Sequence, residues 1–170
     1  DQRCPSAPAC SAACPSPPWA PWPSQAREMR AGVDGTTHPC DDPPVASATP
    51  RDLVDAYGAR YSAGDADGVA DLCAVPFVAV RNGDVVQLAD RPAIVAHFRS
   101  LIDGYRSSGA ASFGLGSFHV QPLGERSCVA TATWHALGTD RQLVRERVTT
   151  YHLVAGVAGW RILSYTNHDA

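Results

Sequence analysis

The spacing of apolar residues changes along this chain, and that change limits the folds it can adopt. Before about residue 110, apolar residues recur at helical intervals, most clearly in the stretch 90–109. From Ser112 onward they alternate as in strands, over about 112–122, 127–137, 142–154 and 159–167. Helices followed by consecutive strands with short connections predict an α+β domain that contains an antiparallel meander.

The residues between these stretches predict where individual elements begin and end. Gly64 is expected to end the first helix, and Pro76 the second, shorter one. Between the second and third helices, Asn82-Gly83 separates two β-rich runs and is the dipeptide that a type I′ hairpin turn favours. The side chains expected to cap the three helices are those of Thr49, with Asp52 completing a capping box, Asp65 and Asp90.

The N-terminal part of the chain differs in composition from the rest. Eleven of the 14 prolines and four of the six cysteines precede residue 51, in sequence without a helical or strand period. We therefore predict a disordered, Pro-rich tail over 1–47 and an ordered domain over 48–170. Met29 is the only methionine. Residues 1–28 are thus interpreted as sequence upstream of a start at Met29, or alternatively as a real extension or a fragment.

Composition excludes several functional classes. The formal net charge of −3 argues against nucleic-acid binding. The sequence contains no run of about 18 apolar residues, so no membrane span is predicted. Cys73 and Cys128 lie in apolar runs, which fits buried thiols in a reducing, cytoplasmic compartment. The histidines and cysteines do not have the spacing of metal ligands, and no phosphate-binding glycine motif follows a predicted strand. The sequence therefore predicts neither a metal nor another cofactor.

Two segments carry a resemblance to a known superfamily. The stretch LVDAYGARYSAGDADGVADLCA, with Tyr57 eight residues before Asp65, and the C-terminal GWRILSYTNHDA resemble the nuclear transport factor 2-like superfamily, in particular its SnoaL-like group. The resemblance covers about residues 49–169. It implies a cone-shaped α+β fold, in which a curved antiparallel sheet wraps around about three helices and encloses a pocket. It also implies frequent dimerisation through the outer sheet face.

The resemblance and strand alternation together indicate two candidate catalytic residues. Tyr57 matches a tyrosine that, in ketosteroid isomerases of the superfamily, donates a hydrogen bond to the substrate oxyanion; the alternative is an aromatic core residue. His168 lies an even number of residues after Trp160, so it is expected to face inward on the same side of the strand. A neutral imidazole there can accept a proton near pH 7. Arg81 and Tyr151 replace the carboxylates that those isomerases use, so ketosteroid isomerisation itself is disfavoured.

A further set of side chains is expected to line the pocket as ligand-binding residues: Tyr61, Phe77, Arg81, His97, Trp134, Tyr151 and Trp160. Arg145 and Arg147 share the alternation of Tyr151. Inside the cone they would bind an acidic or carbonyl substrate, whereas at its open end or outside they would be ordinary solvated charges.

These patterns lead to two functional hypotheses for a pocket that binds a small hydrophobic molecule. The first is a cofactor-independent enzyme of the isomerase, cyclase or dehydratase type that acts on a hydrophobic metabolite. The second is a non-catalytic ligand-binding or dimerisation module. A homodimer is expected in either case, because one strand has a partly apolar outer face formed by Val144, Val148, Thr150, His152 and Val154.

Overall fold

A computed structural model of the chain describes residues 49–168, and these form three helices and six strands. The predicted α+β class is confirmed. The predicted tail over 1–47, and the alternative start at Met29, lie outside the described residues. In chain order the elements are α1 (Pro50–Ala63), α2 (Ala66–Asp71), β1 (Cys73–Arg81), β2 (Asp84–Leu88), α3 (Arg91–Ser107), β3 (Ser112–Pro122), β4 (Ser127–Leu137), β5 (Leu143–Gly156) and β6 (Gly159–Asn167).

The helix ends follow the predicted capping residues, with one exception. The Thr49 side chain accepts a hydrogen bond from the Asp52 amide, and the Asp52 carboxylate accepts one from the Thr49 amide. Gly64 ends α1 in the left-handed conformation, with φ of 79°. Pro76, however, does not end α2: the helix stops at Asp71, and Pro76 lies within β1. The pairing of β1 with β6 is irregular between Cys73 and Val78. The ladder therefore accommodates a proline there, which has no amide hydrogen to donate.

The six strands form one sheet in the order β2-β1-β6-β5-β4-β3. Strands β3 to β6 form the predicted antiparallel meander, and β1 and β2 form the predicted hairpin around Asn82 and Gly83, both with positive φ. The pairing of β1 with β6 is parallel, so the sheet is mixed rather than wholly antiparallel. This arises because α3 carries the chain to the far edge, from which the meander returns beside the hairpin.

The core lies between α1, α3 and the concave face of this curved sheet. Five side chains of β4 face inward, and only one of them, Trp134, is large. The other four are small: Cys128, Ala130, Ala132 and Ala136. Small side chains opposite the helices leave space next to Trp134. The sequence of β4 therefore creates room for a cavity inside the domain.

Strand β6 contains a bulge that corrects the predicted alternation. The pairing with β5 shifts by one residue between Ile162 and Ser164, so β6 carries one extra residue, Leu163. Because side chains alternate with a period of two, one extra residue reverses the faces of everything that follows. The two residues of β6 that consequently face the helices are Tyr165 and Asn167, and the expected inward position of His168 is wrong.

Candidate functional site

A cavity of about 380 Å³ lies between α1, α3 and the concave face of the sheet. This volume is within the range of pockets that hold small organic molecules. Its interior is lined by aromatic and small side chains, and its open end by arginines. Residues of α3 that border it include Leu101, Gly104 and Tyr105.

Strand β5 shows how the lining changes from the open end to the interior. Its inward side chains are, in order, Arg145, Arg147, Thr149, Tyr151 and Leu153, and all but Leu153 line the cavity. The arginines are exposed or half-buried, whereas the last three are only 4, 1 and 0% exposed. A ligand in this cavity would therefore meet charge at one end and phenol and hydrocarbon at the other.

Polar groups of the interior form a row that runs from β4 to β6. The Trp134 indole donates to the Tyr151 hydroxyl at 2.9 Å, and the hydroxyls of Tyr57 and Thr149 lie near that of Tyr151. Thr149 Oγ1 in turn donates to Asn167 Oδ1 at 2.9 Å. We refer to these five residues as the polar chain. Its two phenols come from different elements and converge inside the cavity.

Burial determines the protonation state of the two phenols. It raises the pKa of Tyr57 well above the ordinary value, and neighbouring Tyr151 adds to this effect. Burial also raises the pKa of Tyr151, although hydrogen bonds from Trp134 and Tyr57 act in the opposite direction. Both phenols are therefore neutral at physiological pH and retain a proton that they can donate.

The Tyr57 ring is held in place by contacts with four aromatic neighbours. Its centroid lies between 5.5 and 6.0 Å from those of Tyr61, Phe98, Trp134 and Tyr151. Such packing restricts the ring to one orientation, so the hydroxyl has a defined position. Tyr57 is therefore both a core aromatic residue and a cavity-lining donor.

A second polar pair lies next to Tyr151, because Tyr165 on β6 is the cross-strand partner of Tyr151 on β5. His97 Nε2, on α3, is 2.6 Å from the hydroxyl of Tyr165, which lines the cavity from β6. Burial lowers the pKa of the half-buried His97, which favours the neutral imidazole. It raises the pKa of Tyr165, while the nearby Arg81 guanidinium has the opposite effect. A neutral imidazole next to a neutral phenol can accept the phenol proton.

The open end of the cavity carries three guanidinium groups, from Arg81 on β1 and from Arg145 and Arg147 on β5. Arg147 Nη1 donates to the carbonyl oxygen of His168 at 3.2 Å. Among residues 49–168, no aspartate or glutamate lines the cavity. The structure thus places the arginines at the open end of the cone, and their side chains border the cavity.

The predicted site residues fall into three groups. Five of them line the cavity, and His97 reaches it through Tyr165. Phe77 is buried behind the cavity against Phe98 and Tyr165, and Trp160 packs on the core without lining it. His168 lies on the outer sheet face, with Nε2 2.9 Å from Thr150 Oγ1. The five that line the cavity are Tyr57, Tyr61, Arg81, Trp134 and Tyr151.

The cavity residues that the sequence did not indicate are mainly Tyr165 and Asn167. Both were assigned to the outer face by simple alternation, and only the bulge at Leu163 brings them inward. No signal in the sequence marks that bulge, because Leu163 suits a regular strand as well. The outer face instead carries His152, which contacts Ser127, as its alternation predicted.

Across 49–168, no group of three or more His, Cys, Asp or Glu side chains is arranged to hold a metal ion. None of the helices in that range is long and apolar enough to cross a membrane.

Comparison of the sequence with protein families identifies its relatives. Residues 50–170 match the family described as NTF2-like protein (DUF6841), which is most of the chain. The chain belongs to this NTF2-like family. The predicted superfamily is thereby confirmed, while the narrower SnoaL-like grouping stays a prediction. No protein of curated function matches the sequence.

Solved structures share the NTF2-like fold at low sequence identity. An NTF2-like protein with a cystatin-like fold from Novosphingobium aromaticivorans has a TM-score of 0.55 and 20% identity, over 69% of this chain and 77% of its own. A candidate calcium/calmodulin-dependent protein kinase II association domain from Xanthomonas campestris has a TM-score of 0.53 and 18% identity, over 78% and 96%. A candidate ketosteroid isomerase from Shewanella frigidimarina has 0.53 and 14%, over 68% and 91%. These identities establish the fold alone.

Proposed function

We propose that this NTF2-like domain binds a small hydrophobic metabolite in its cavity and hydrogen-bonds an oxygen atom of that molecule. The observation that carries the proposal is the convergence of the Tyr57 and Tyr151 hydroxyls inside the apolar cavity. Polar groups enclosed by aromatic side chains orient a ligand, because an unpaired donor in such a place is costly.

The same phenols support a catalytic function, namely a cofactor-independent proton transfer of the isomerase, cyclase or dehydratase type. A neutral phenol in a site shielded from water stabilises negative charge that develops on a substrate oxygen. Tyr57 and Tyr151 would have this role. The proton acceptor would be His97 acting through Tyr165, since these two groups are 2.6 Å apart and no carboxylate of the described residues lines the cavity.

A second candidate function is a non-catalytic ligand-binding or dimerisation module. It is favoured by the fold shared with a protein named as an association domain. The two functions differ in what they require of the phenols. A binding module needs only the shape and apolar lining of the cavity, whereas the catalytic function needs the Tyr57 hydroxyl itself.

The binding function is tested with phenylnaphthylamine, a neutral aromatic dye whose fluorescence increases in apolar surroundings. We expect saturable binding at one site per chain. Gly104 borders the open end, where an added side chain meets open space. Gly104→Trp should therefore obstruct the cavity and reduce dye binding. Asp103→Trp adds the same side chain one residue earlier on the helix, at an exposed position that does not border the cavity, and should retain it.

Absence of saturable binding, or an equal loss in both variants, would contradict the proposal. The catalytic part is tested separately, with a panel of hydrophobic carbonyl compounds and the Tyr57→Phe variant. If turnover does not depend on the Tyr57 hydroxyl, the proposed catalytic function is contradicted, whereas the proposed binding function is not.

A further inference from the structure

We infer that the ligand of this cavity is a hydrophobic anion, with an anionic group that pairs with Arg81 and Arg145 at the open end while its apolar body lies between the helices and the sheet. The inference rests on the proposed binding function and adds the chemical class of the ligand to it. Its basis is the position of the guanidinium groups, the availability of Arg81 and Arg145 among the described residues, and the length of the strand that lines the cavity.

The guanidinium groups at the open end are a local concentration of positive charge. The chain as a whole has a formal net charge of −3, so three arginines around one opening do not reflect a generally basic protein. Two separate strands supply them, Arg81 from β1 and the other two from β5. Strand pairing brings them together, because Arg81 pairs with Asn167, and Asn167 pairs with Thr149, the next inward residue after Arg147 on β5.

Eight of the eleven arginines in residues 49–168 form a salt bridge with an aspartate or donate to a backbone carbonyl oxygen. Among the described residues, Arg81, Arg141 and Arg145 form neither contact, and of these three Arg81 and Arg145 line the cavity. Within residues 49–168, no salt bridge involves Arg81 or Arg145. This holds even though Asp84 lies directly opposite Arg81 in the β1–β2 register. Two cavity-lining guanidinium groups are thus available to an anionic ligand.

The chemistry and spacing of the lining restrict the ligand further. A guanidinium group presents paired N–H donors that match a carboxylate, a sulfonate or a phosphate. Tyr151 lies six residues after Arg145 along β5, which corresponds to about 20 Å of strand. A molecule that reaches from this arginine toward the polar chain is therefore elongated. An aromatic or polycyclic acid that also carries a carbonyl or hydroxyl oxygen fits this description.

The experiment compares two dyes that differ in charge. Anilinonaphthalene sulfonate has the ring system of phenylnaphthylamine with an added sulfonate, so the ratio of the two dissociation constants isolates the anionic group. For the wild-type chain we expect tighter binding of the sulfonate, with an affinity that falls as salt is added, because salt screens exposed charge pairs. The affinity of the neutral dye should change little with salt.

The variants are Arg81→Gln, Arg145→Gln and the double substitution. Each single change should weaken binding of the sulfonate by about twofold to fivefold, and the double change by about tenfold, as expected for partly exposed charge pairs. The ratio of the two dissociation constants should change by the same factors, because any effect of the altered lining on both dyes cancels in the ratio. Arg126→Gln removes the same charge near the other end of β5, where Arg126 donates to the Ala155 carbonyl oxygen, and serves as the matched control.

The outcomes separate this inference from the function on which it rests. If both dyes bind but the double variant keeps the wild-type ratio, or Arg126→Gln changes it equally, the anionic ligand is refuted and the hydrophobic pocket stands. If neither dye binds saturably, the proposed function fails together with the inference. A ratio that decreases only in the Arg81 and Arg145 variants supports both.

Discussion

The Tyr165 hydroxyl lies 2.6 Å from Nε2 of His97, and this contact links a cavity-lining phenol to an imidazole on α3. The two rings are tilted by 31° with centroids 6.0 Å apart, and the Phe98 ring packs against both of them. The pair therefore belongs to the core and to the cavity wall at once. Its titration should be visible in the stability of the domain even before a ligand is known.

The pH dependence of stability should change in His97→Gln. Burial lowers the pKa of His97, so the unfolded chain takes up this proton first, near its ordinary pKa of about 6.5. The stabilising contribution is complete above about pH 6.5 and is lost as the pH falls through the lowered pKa. The glutamine does not titrate, so the difference in unfolding free energy between wild type and variant should narrow toward low pH. Urea unfolding at several pH values between about 5 and 8 measures this. A difference that is independent of pH would contradict the prediction.

The Tyr57 hydroxyl should matter more for function than for stability. Tyr57→Phe keeps the ring and its four aromatic neighbours and removes only the hydroxyl, which should lower the unfolding free energy by about 1 kcal/mol at most. With a turned-over carbonyl substrate, kcat should fall by about 10²–10³. Urea unfolding and steady-state kinetics measure the two effects.

The matched control for that experiment is His168→Gln. Because His168 lies on the outer sheet face beside Thr150, its substitution should leave turnover unchanged. A large loss of kcat in His168→Gln, with no loss in Tyr57→Phe, would show that the chemistry lies outside the cavity described above.

The same substitution in two helices should have opposite effects on stability. At Gly104 on α3 an added Cβ meets open space, so Gly104→Ala should raise the unfolding free energy by about 0.5–1 kcal/mol through helix propensity. At Gly58 on α1 the added Cβ would lie 2.7 Å from the Trp134 ring. Trp134 is held by its hydrogen bond to Tyr151, so Gly58→Ala should cost about 1–3 kcal/mol. Thermal and urea unfolding measure the change in unfolding free energy for both variants. Equal changes would mean that α1 and Trp134 do not pack as closely as described.

The domain should form a homodimer through the outer face of the sheet. Val148 alternates with the cavity-lining Arg147 and Thr149, and therefore points outward, where it is half-buried. Val148→Asp should convert a dimer into a monomer, because the introduced carboxylate would be buried without a partner. Val157→Asp is the control, since Val157 lies in the turn between β5 and β6 and is fully exposed. Light scattering at micromolar concentration measures the masses. A wild-type monomer, or a dimer that tolerates Val148→Asp, would contradict this interface.

Local patterns in the sequence were sufficient for most elements of the fold. The Thr49 and Asp90 caps, the Asn82-Gly83 turn and the meander each depend on neighbours within a few residues, and all are as predicted. Propensity and hydrogen-bonding chemistry act at that range. Pro76 is the exception: local rules predict that it ends a helix, but it lies within β1, between Cys73 and Val78, which both pair with β6.

The site depended more on the tertiary structure. Alternation along β5 predicted the inward side of Tyr151, because that strand is regular from Arg145 to Leu153. In β6, one extra residue turns His168 to the outer face and brings Tyr165 and Asn167 to the inner face. No local sequence pattern predicts this bulge. Likewise, only the pairing of β1, β6 and β5 brings arginines that are distant in sequence to one opening. By itself the sequence determined which residue types could form a pocket, through local periodicity; the tertiary structure decided which of them face it, because register and curvature are set by long-range pairing.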